Sequence, residues 1–258
     1  MNTPDSPIVV FDSGLGGISV LRALARELPR ERFVYFGDSA NAPYGTRSTA
    51  QIRRLTLENL ERLDRDHGFK AAVIACNTAT SAAITQLRER FSQPVIGIEP
   101  ALKLAAERHP GGSIVVMATQ TTLREEKYAA LAAQYGRGCR VYALPCPRLV
   151  EYVESFAQDS PEAERYLRRR LSRFLHDPPD ALVLGCTHFP FAAPALRRLF
   201  PASTELLDGS RGTAQQTRRV LHERGLLRET GEGFVEFYCS LDTPEQLARM
   251  RELYAASL

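Results

Sequence analysis

Apolar residues along this chain follow two rhythms. Short β-rich runs alternate with longer stretches in which apolar positions recur every three or four residues. The runs are "IVVFD" (8–12), "RFVYFGD" (32–38), "AAVIAC" (71–76), "PVIGIEP" (94–100), "SIVVMAT" (113–119), "RVYALPC" (140–146), "ALVLGC" (181–186) and "TELLDG" (204–209). Between them the helical rhythm predicts helices over about 18–28 and 49–67, and from just past Cys76 to about Phe91. Strands alternating with amphipathic helices predict a parallel, doubly wound α/β architecture.

The two halves of the pattern resemble each other. "IVVFD" and "IVVMAT" lie 107 residues apart with Asp12 set against Thr119. "VIACNT" and "LVLGCT" lie 110 apart, as do "PVIGIEP" and "TELLDGS" with Glu99 set against Gly209. The spacing suggests a duplicated α/β unit, although buried strands also converge on similar compositions. In open α/β sheets ligands bind outside the carboxyl ends of the strands. Cys76 and Cys186 hold that end of equivalent strands, so two facing units would present both thiols to one cleft.

A cysteine between a strand and a helix sits near unpaired backbone N–H groups and a positive helix end. Such surroundings lower a thiol pKa from about 8.5 toward neutrality. Asn77 or Thr78 suits the N-cap of the helix after Cys76, and Pro190 suits the first helical turn after Cys186. Two thiols on opposite faces of one carbon can invert it, one removing a proton while the other delivers one. Asp12, at the end of the first strand, and His188, two residues beyond Cys186, are candidates to assist. Each has a plainer reading, as a helix-capping aspartate and a structural histidine. "FDSGLGG" adds Ser13 and glycines whose N–H groups can grip a carboxylate. The same stretch approaches a dinucleotide fingerprint, with Asp38 as the ribose acid. That fit fails, because Ser19 stands where the third glycine belongs after Gly14 and Gly16.

Composition narrows the picture. The chain has 258 residues, enough for one large domain or two modest ones, and its 44% hydrophobic and 24% charged content is that of a soluble globular protein. The N-terminus has no basic region, and no run approaches the roughly 20 apolar residues of a membrane span. A cytoplasmic protein with no membrane partner is expected. A net charge of +3 gives little support to a polyanionic partner. The Arg168–Arg169–Arg170 run lies in a helical pattern with Leu167, Leu171, Phe174 and Leu175 on one face, and reads as a solvated face. Aromatic interleaving is absent, so nucleic acid is not an expected partner. The five cysteines are odd in number and lack zinc-type spacing, and Cys139, Cys146 and Cys239 read as small buried hydrophobes. None of the three lysines ends a strand-like run, so neither a Schiff base nor a metal site is expected.

In order along the chain, "FDSGLGG" (11–17), "YFGDSANAPYG" (35–45), "ACNTAT" (75–80), "PVIGIEPA" (94–101), "CPRLVEYVE" (146–154), "LGCTHFP" (184–190) and "LLDGS" (206–210) resemble the glutamate racemases. These are cofactor-independent enzymes that supply D-glutamate for bacterial peptidoglycan. The resemblance implies two pseudo-symmetric α/β domains with the active site in the cleft between them. Their bounds would be 1–98 plus 212–258, and 99–211. It implies Cys76 and Cys186 as the proton-transferring pair, supported by Asp12 and His188, with Glu154 tuning the histidine side. It implies that Asp12–Ser13, Tyr44–Gly45, Asn77–Thr78 and Thr187–His188 hold the substrate, and that the protein is a homodimer. In "MATQTTLREEKY" (117–128) the chain departs from the family. Ala118 replaces a glycine and Glu125 a serine, while Thr119 and Thr122 stay in register.

Other readings keep less of the pattern. An aspartate, hydantoin or broad-specificity amino-acid racemase keeps the mechanism and changes the substrate. A Cys–His hydrolase built on Cys186 and His188 leaves the second thiol without a task, and a two-residue separation makes its alignment awkward. A binding module without turnover uses neither thiol.

Overall fold

The computed structural model describes residues 3–135 and 137–256, and all their side chains but that of Lys127. Nine strands and eleven α-helices are described. They run β1 (Ile8–Asp12), α1 (Ile18–Glu27), β2 (Arg32–Gly37), α2 (Thr49–His67), β3 (Ala71–Ile74), α3 (Asn77–Arg90) and β4 (Val95–Gly97). Next come α4 (Leu102–Arg108), β5 (Ser113–Ala118), α5 (Gln120–Arg124), α6 (Glu126–Tyr135), β6 (Arg140–Pro145), α7 (Pro147–Glu154) and α8 (Pro161–Arg170). The chain closes with β7 (Ala181–Leu184), α9 (Ala193–Leu199), β8 (Glu205–Asp208), α10 (Ser210–Glu223), β9 (Phe234–Cys239) and α11 (Pro244–Ala255).

The strands form two parallel sheets, ordered β4-β3-β1-β2-β9 and β6-β5-β7-β8. Exchanging β1–β4 for β5–β8 turns the first order into the second, so the sequence repeat is a repeat of topology. The pairing register shifts two of the sequence alignments by one residue. Ile8 faces Ala71 and Ile114 faces Ala181, which makes Ala118, not Thr119, the counterpart of Asp12. Likewise Ile74 faces Gly97 and Leu184 faces Asp208, so Ile98 rather than Glu99 corresponds to Gly209.

The inner strands are apolar throughout because both faces of each sheet are covered. Alternate residues feed opposite layers: Ile8 and Val10 enter one core, Val9 and Phe11 the other. The second sheet does the same with Val115 and Met117 against Ile114 and Val116. Each fully buried Val, Ile or Phe side chain contributes about 1.5–3 kcal/mol.

After the second sheet the chain returns to the first. Ala214 and Leu221 of α10 and Met250 and Leu253 of α11 pack with Leu21 and Leu24 of α1. Between them β9 adds a strand beside β2, which the sequence reading did not contain. At this sheet edge Phe234, Glu236 and Tyr238 are exposed and Val235 and Phe237 only half-buried, so no continuous apolar run marks it. Arg168 and Arg169 are solvated as expected, but Arg170 turns inward to the Pro145 carbonyl. Cys146 and Cys239 are buried, whereas Cys139 is half-buried with its sulfur 3.4 Å from the His109 carbonyl. No helix among the described residues is long and apolar enough to cross a membrane.

Candidate active site

Cys76 and Cys186 each lie two residues past the end of equivalent strands, β3 and β7. Cys76 itself caps α3, its sulfur accepting the Ala79 N–H at 3.4 Å. The sequence reading gave that cap to Asn77 or Thr78. The helix starts one residue earlier, and the sulfur takes the place of a capping hydroxyl. Past Cys186 the chain makes a tight turn, Phe189 N–H to the Cys186 carbonyl at 3.0 Å, into a 3-10 turn over Phe189–Ala192 that Pro190 helps to start.

That turn folds the imidazole back on its own thiol. His188 Nδ1 lies 3.7 Å from Cys186 Sγ, so a two-residue separation is no obstacle to a direct Cys–His contact. On its far side His188 Nε2 meets Glu154 Oε1 at 2.6 Å. The same carboxylate oxygen accepts the Leu15 N–H at 2.8 Å, tying α7 to the loop after β1. Glu151, one turn earlier on α7, is exposed. Thr187 donates to both oxygens of Asp12, at 3.2 and 3.3 Å. Ser13 Oγ lies 3.4 Å from Cys76 Sγ. A polar chain therefore runs from Cys76 and Ser13, through Asp12 and Thr187, to Cys186, His188 and Glu154.

The glycines between β1 and α1 permit this approach. A Cβ on Gly14 would strike the Glu154 carboxylate, and one on Gly16 the His188 ring and Thr187 hydroxyl. Ser19, which spoils the dinucleotide fingerprint, donates its hydroxyl to the carbonyls of Gly16 and Thr187, both at 2.9 Å. In sequence this serine is visible only as a missing glycine.

Burial decides the electrostatics. It pushes the Cys76 thiol up to about 12, and the Asp12 charge adds to that; the Ser13 and Ala79 hydrogen bonds pull the other way without prevailing. The helix-end argument from sequence predicted the opposite direction and fails here on desolvation. Asp12 is fully buried and raised to about 6, chiefly by that burial, with His188 opposing and Glu154 adding. Burial alone would lower His188. Its contacts with Cys186 and Glu154 outweigh that and hold it well above the ordinary imidazole value. These contacts favour the protonated ring, whose two nitrogens face Glu154 and Cys186.

The remaining candidates gather at the same strand ends. Tyr44 is buried and donates to Asp38 Oδ2 at 2.6 Å, while Asn59 and Asn41 donate to the same carboxylate at 3.1 and 3.0 Å. Asp38, weighed from sequence as a ribose acid, is thus a post for Tyr44. Gly45 lies against Thr119. Thr78 Oγ1 reaches Thr119 at 3.0 Å and Thr122 at 3.2 Å, and those two hydroxyls are 2.9 Å apart. Asn77 Oδ1 is buried with no hydrogen-bond partner among the described residues. No cluster among these residues is spaced to hold a metal ion.

The geometry defines a two-sheet α/β protein with two buried thiols at the ends of equivalent strands. The Asp/Glu/Hydantoin racemase family model matches residues 8–217, so the chain belongs to that racemase family and is an isomerase. It is 44% identical over 252 residues to a glutamate racemase of Clostridium novyi, covering 97% of each chain. Among solved structures, glutamate racemase from Thermus thermophilus in complex with β-chloro-D-alanine matches with a TM-score of 0.80 and 39% identity, over 99% of this chain and 95% of that one. Escherichia coli glutamate racemase in complex with L-glutamate and the activator UDP-MurNAc-Ala matches with a TM-score of 0.86 and 31% identity, over 96% and 95%.

Proposed function

We propose that this protein interconverts L- and D-glutamate by proton transfer at Cα between Cys76 and Cys186, without pyridoxal phosphate or metal. The observation that carries the reading is a pair of buried thiols at the ends of equivalent strands, with Ser13 Oγ 3.4 Å from Cys76 Sγ and the His188–Glu154 pair behind Cys186. The choice of glutamate rests on relatives 39–44% identical over nearly the whole chain.

In the reaction one cysteine, as thiolate, takes the Cα proton and becomes a thiol. The other, as thiol, delivers its proton to the opposite face and is left a thiolate. Each turnover thus exchanges the protonation states of the pair, and the reverse reaction starts from the exchanged form. Substrate is held by Asp12–Ser13, Tyr44–Gly45, Asn77–Thr78 and Thr187–His188, with Thr119 and Thr122 added through their hydroxyl contacts to Thr78. A substrate ammonium beside Asp12 and the unpartnered Asn77 oxygen brings positive charge to Cys76 and offsets the burial that keeps it protonated.

The same reading gives the protein a cytoplasmic role supplying D-glutamate for peptidoglycan, as a homodimer without nucleic-acid or membrane partners. It divides the chain into 1–98 with 212–258, and 99–211; the pairing of β9 with β2 and the packing of α10 on α1 support that division.

Initial rates on L-glutamate, D-glutamate, aspartate and a hydantoin test the substrate. Faster turnover of aspartate or hydantoin than of glutamate contradicts the assignment. The Cys186–His188–Glu154 chain would also suit a nucleophilic thiol. Cys76→Ser separates the two chemistries, since a hydrolase retains activity in that variant and the racemase does not.

A further inference from the structure

The two thiols and the side chains of Asp12, Ser13, Asn77, Thr187 and His188 beside them are at most 7% exposed. Glutamate therefore reaches the thiols only after the two halves part. On one flank they are joined by groups that belong to the chemistry: the buried pairs Thr187 to Asp12 and Ser19 to Thr187, and the half-buried pair Glu154 to Leu15. On the other flank the segment from Tyr44 to Thr49 meets α5. There the Gly45 carbonyl accepts the Thr121 hydroxyl at 2.9 Å, and Thr49 Oγ1 donates to Glu125 Oε1 at 2.8 Å. A Cβ on Gly45 would lie 2.9 Å from Thr119 Cβ, so the backbone lies flush against α5. Gly45, Thr49, Thr121 and Glu125 are only half-buried, so these bonds border water and break at lower cost than the buried set.

Thr49 is the first residue of α2, directly after its cap Ser48. First-turn N–H groups lack intrahelical partners and favour a nearby carboxylate. Glu125 supplies that charge at a position where the family resemblance places a neutral serine.

Resting on the racemase reading, we infer that Glu125 is a positioning residue whose carboxylate latches Thr49 and so holds the Tyr44–Gly45 segment closed over the substrate. Opening for entry and release takes place on this flank. A latch of this kind acts on binding rather than on the proton transfers.

The test compares Glu125→Ala, Glu125→Gln, Thr49→Val and the Thr49→Val/Glu125→Ala double variant with the parent, by glutamate kinetics in both directions and by amide exchange. Glu125→Ala is to raise KM about tenfold in each direction, the loss of one charge-assisted hydrogen bond, with kcat changed less than twofold. Glu125→Gln, which keeps an oxygen for Thr49 to donate to, recovers most of that loss. The double variant is no worse than Glu125→Ala alone. Amides between Tyr44 and Ala50 exchange faster in Glu125→Ala while those of β1 and β3 do not, which separates a loosened latch from a damaged fold. A KM within twofold of the parent, or unchanged exchange at 44–50, overturns the latch. A parent that leaves glutamate untouched sinks the racemase reading instead, and the exchange comparison then decides the latch by itself.

Discussion

Glu154 Oε1 stands 2.6 Å from His188 Nε2 and accepts the Leu15 N–H through the same oxygen. One carboxylate thereby fixes the ring behind Cys186 and anchors the loop that follows β1. Glu154→Gln keeps an oxygen for Leu15 and removes the charge that helps hold His188 protonated. The account predicts a fold within about 1 kcal/mol of the parent and a kcat lowered about 10²-fold, the scale of general acid–base assistance. With α-deuterated substrate the isotope effect should grow in the direction in which Cys186 removes the Cα proton. Equal isotope effects in both directions would remove the histidine side from the mechanism.

Asp12 makes a stability prediction with a definite sign. Its pKa rises from 3.8 to about 6 because it is buried, so the folded protein holds a proton there that the unfolded chain has released. Stability therefore falls as pH rises from about 4 to about 6 and stays lowered above that. The cost is on the order of 3 kcal/mol at neutral pH. Asp12→Asn should raise Tm at pH 7.5 while reducing kcat/KM at least about 10²-fold. Thermal melts at several pH values check this, since the advantage should vanish below about pH 4. A variant less stable than the parent at pH 7.5 would mean that the Asp12 anion is well paired.

The pH profile of activity follows from the same groups. Asp12 must be ionised to accept the substrate ammonium, so kcat/KM should climb as pH passes through about 6. Asp12→Asn should lose that limb. An acid limb that survives in the variant assigns it to another group.

Lys70 and Glu31 form a fully buried pair at 2.5 Å, and Lys70 also holds the Pro4 carbonyl while Glu31 holds the Arg228 N–H. Glu31→Gln strands a buried ammonium. It should cost roughly 3–5 kcal/mol in denaturant unfolding yet leave KM for glutamate unchanged. A KM shift would show that this corner of the first sheet communicates with the site.

Much of this was legible in sequence, for physical reasons. Strands β1 to β5 and β7 are largely buried, so they appear as apolar runs, and a thiol at a strand end stands out; β6 and β8 lie at sheet edges only partly covered but keep enough apolar residues to be read. Edge strand β9 escaped because half its residues face water. The hydrophobic runs also left the repeat one residue adrift at Asp12, since composition marks a strand and only pairing fixes its register. Cys76 shows the deeper limit. Its neighbours in sequence describe a helix start that favours thiolate, but its pKa is set by burial under groups far along the chain, Asp12 among them. The same holds for Glu154, which meets Leu15 from 139 positions away.

The most direct test of the two-thiol claim is deuterium uptake at Cα in D2O without added cofactor. Mass spectrometry and circular dichroism would follow the parent, Cys76→Ser and Cys186→Ser, each starting from L- and from D-glutamate. The account predicts that the parent exchanges and inverts both enantiomers. Each variant should lose inversion by at least about 10³-fold, and each should retain slow exchange, if any, with one enantiomer only, opposite for the two. Inversion at the parental rate by either variant, in both directions, would contradict it.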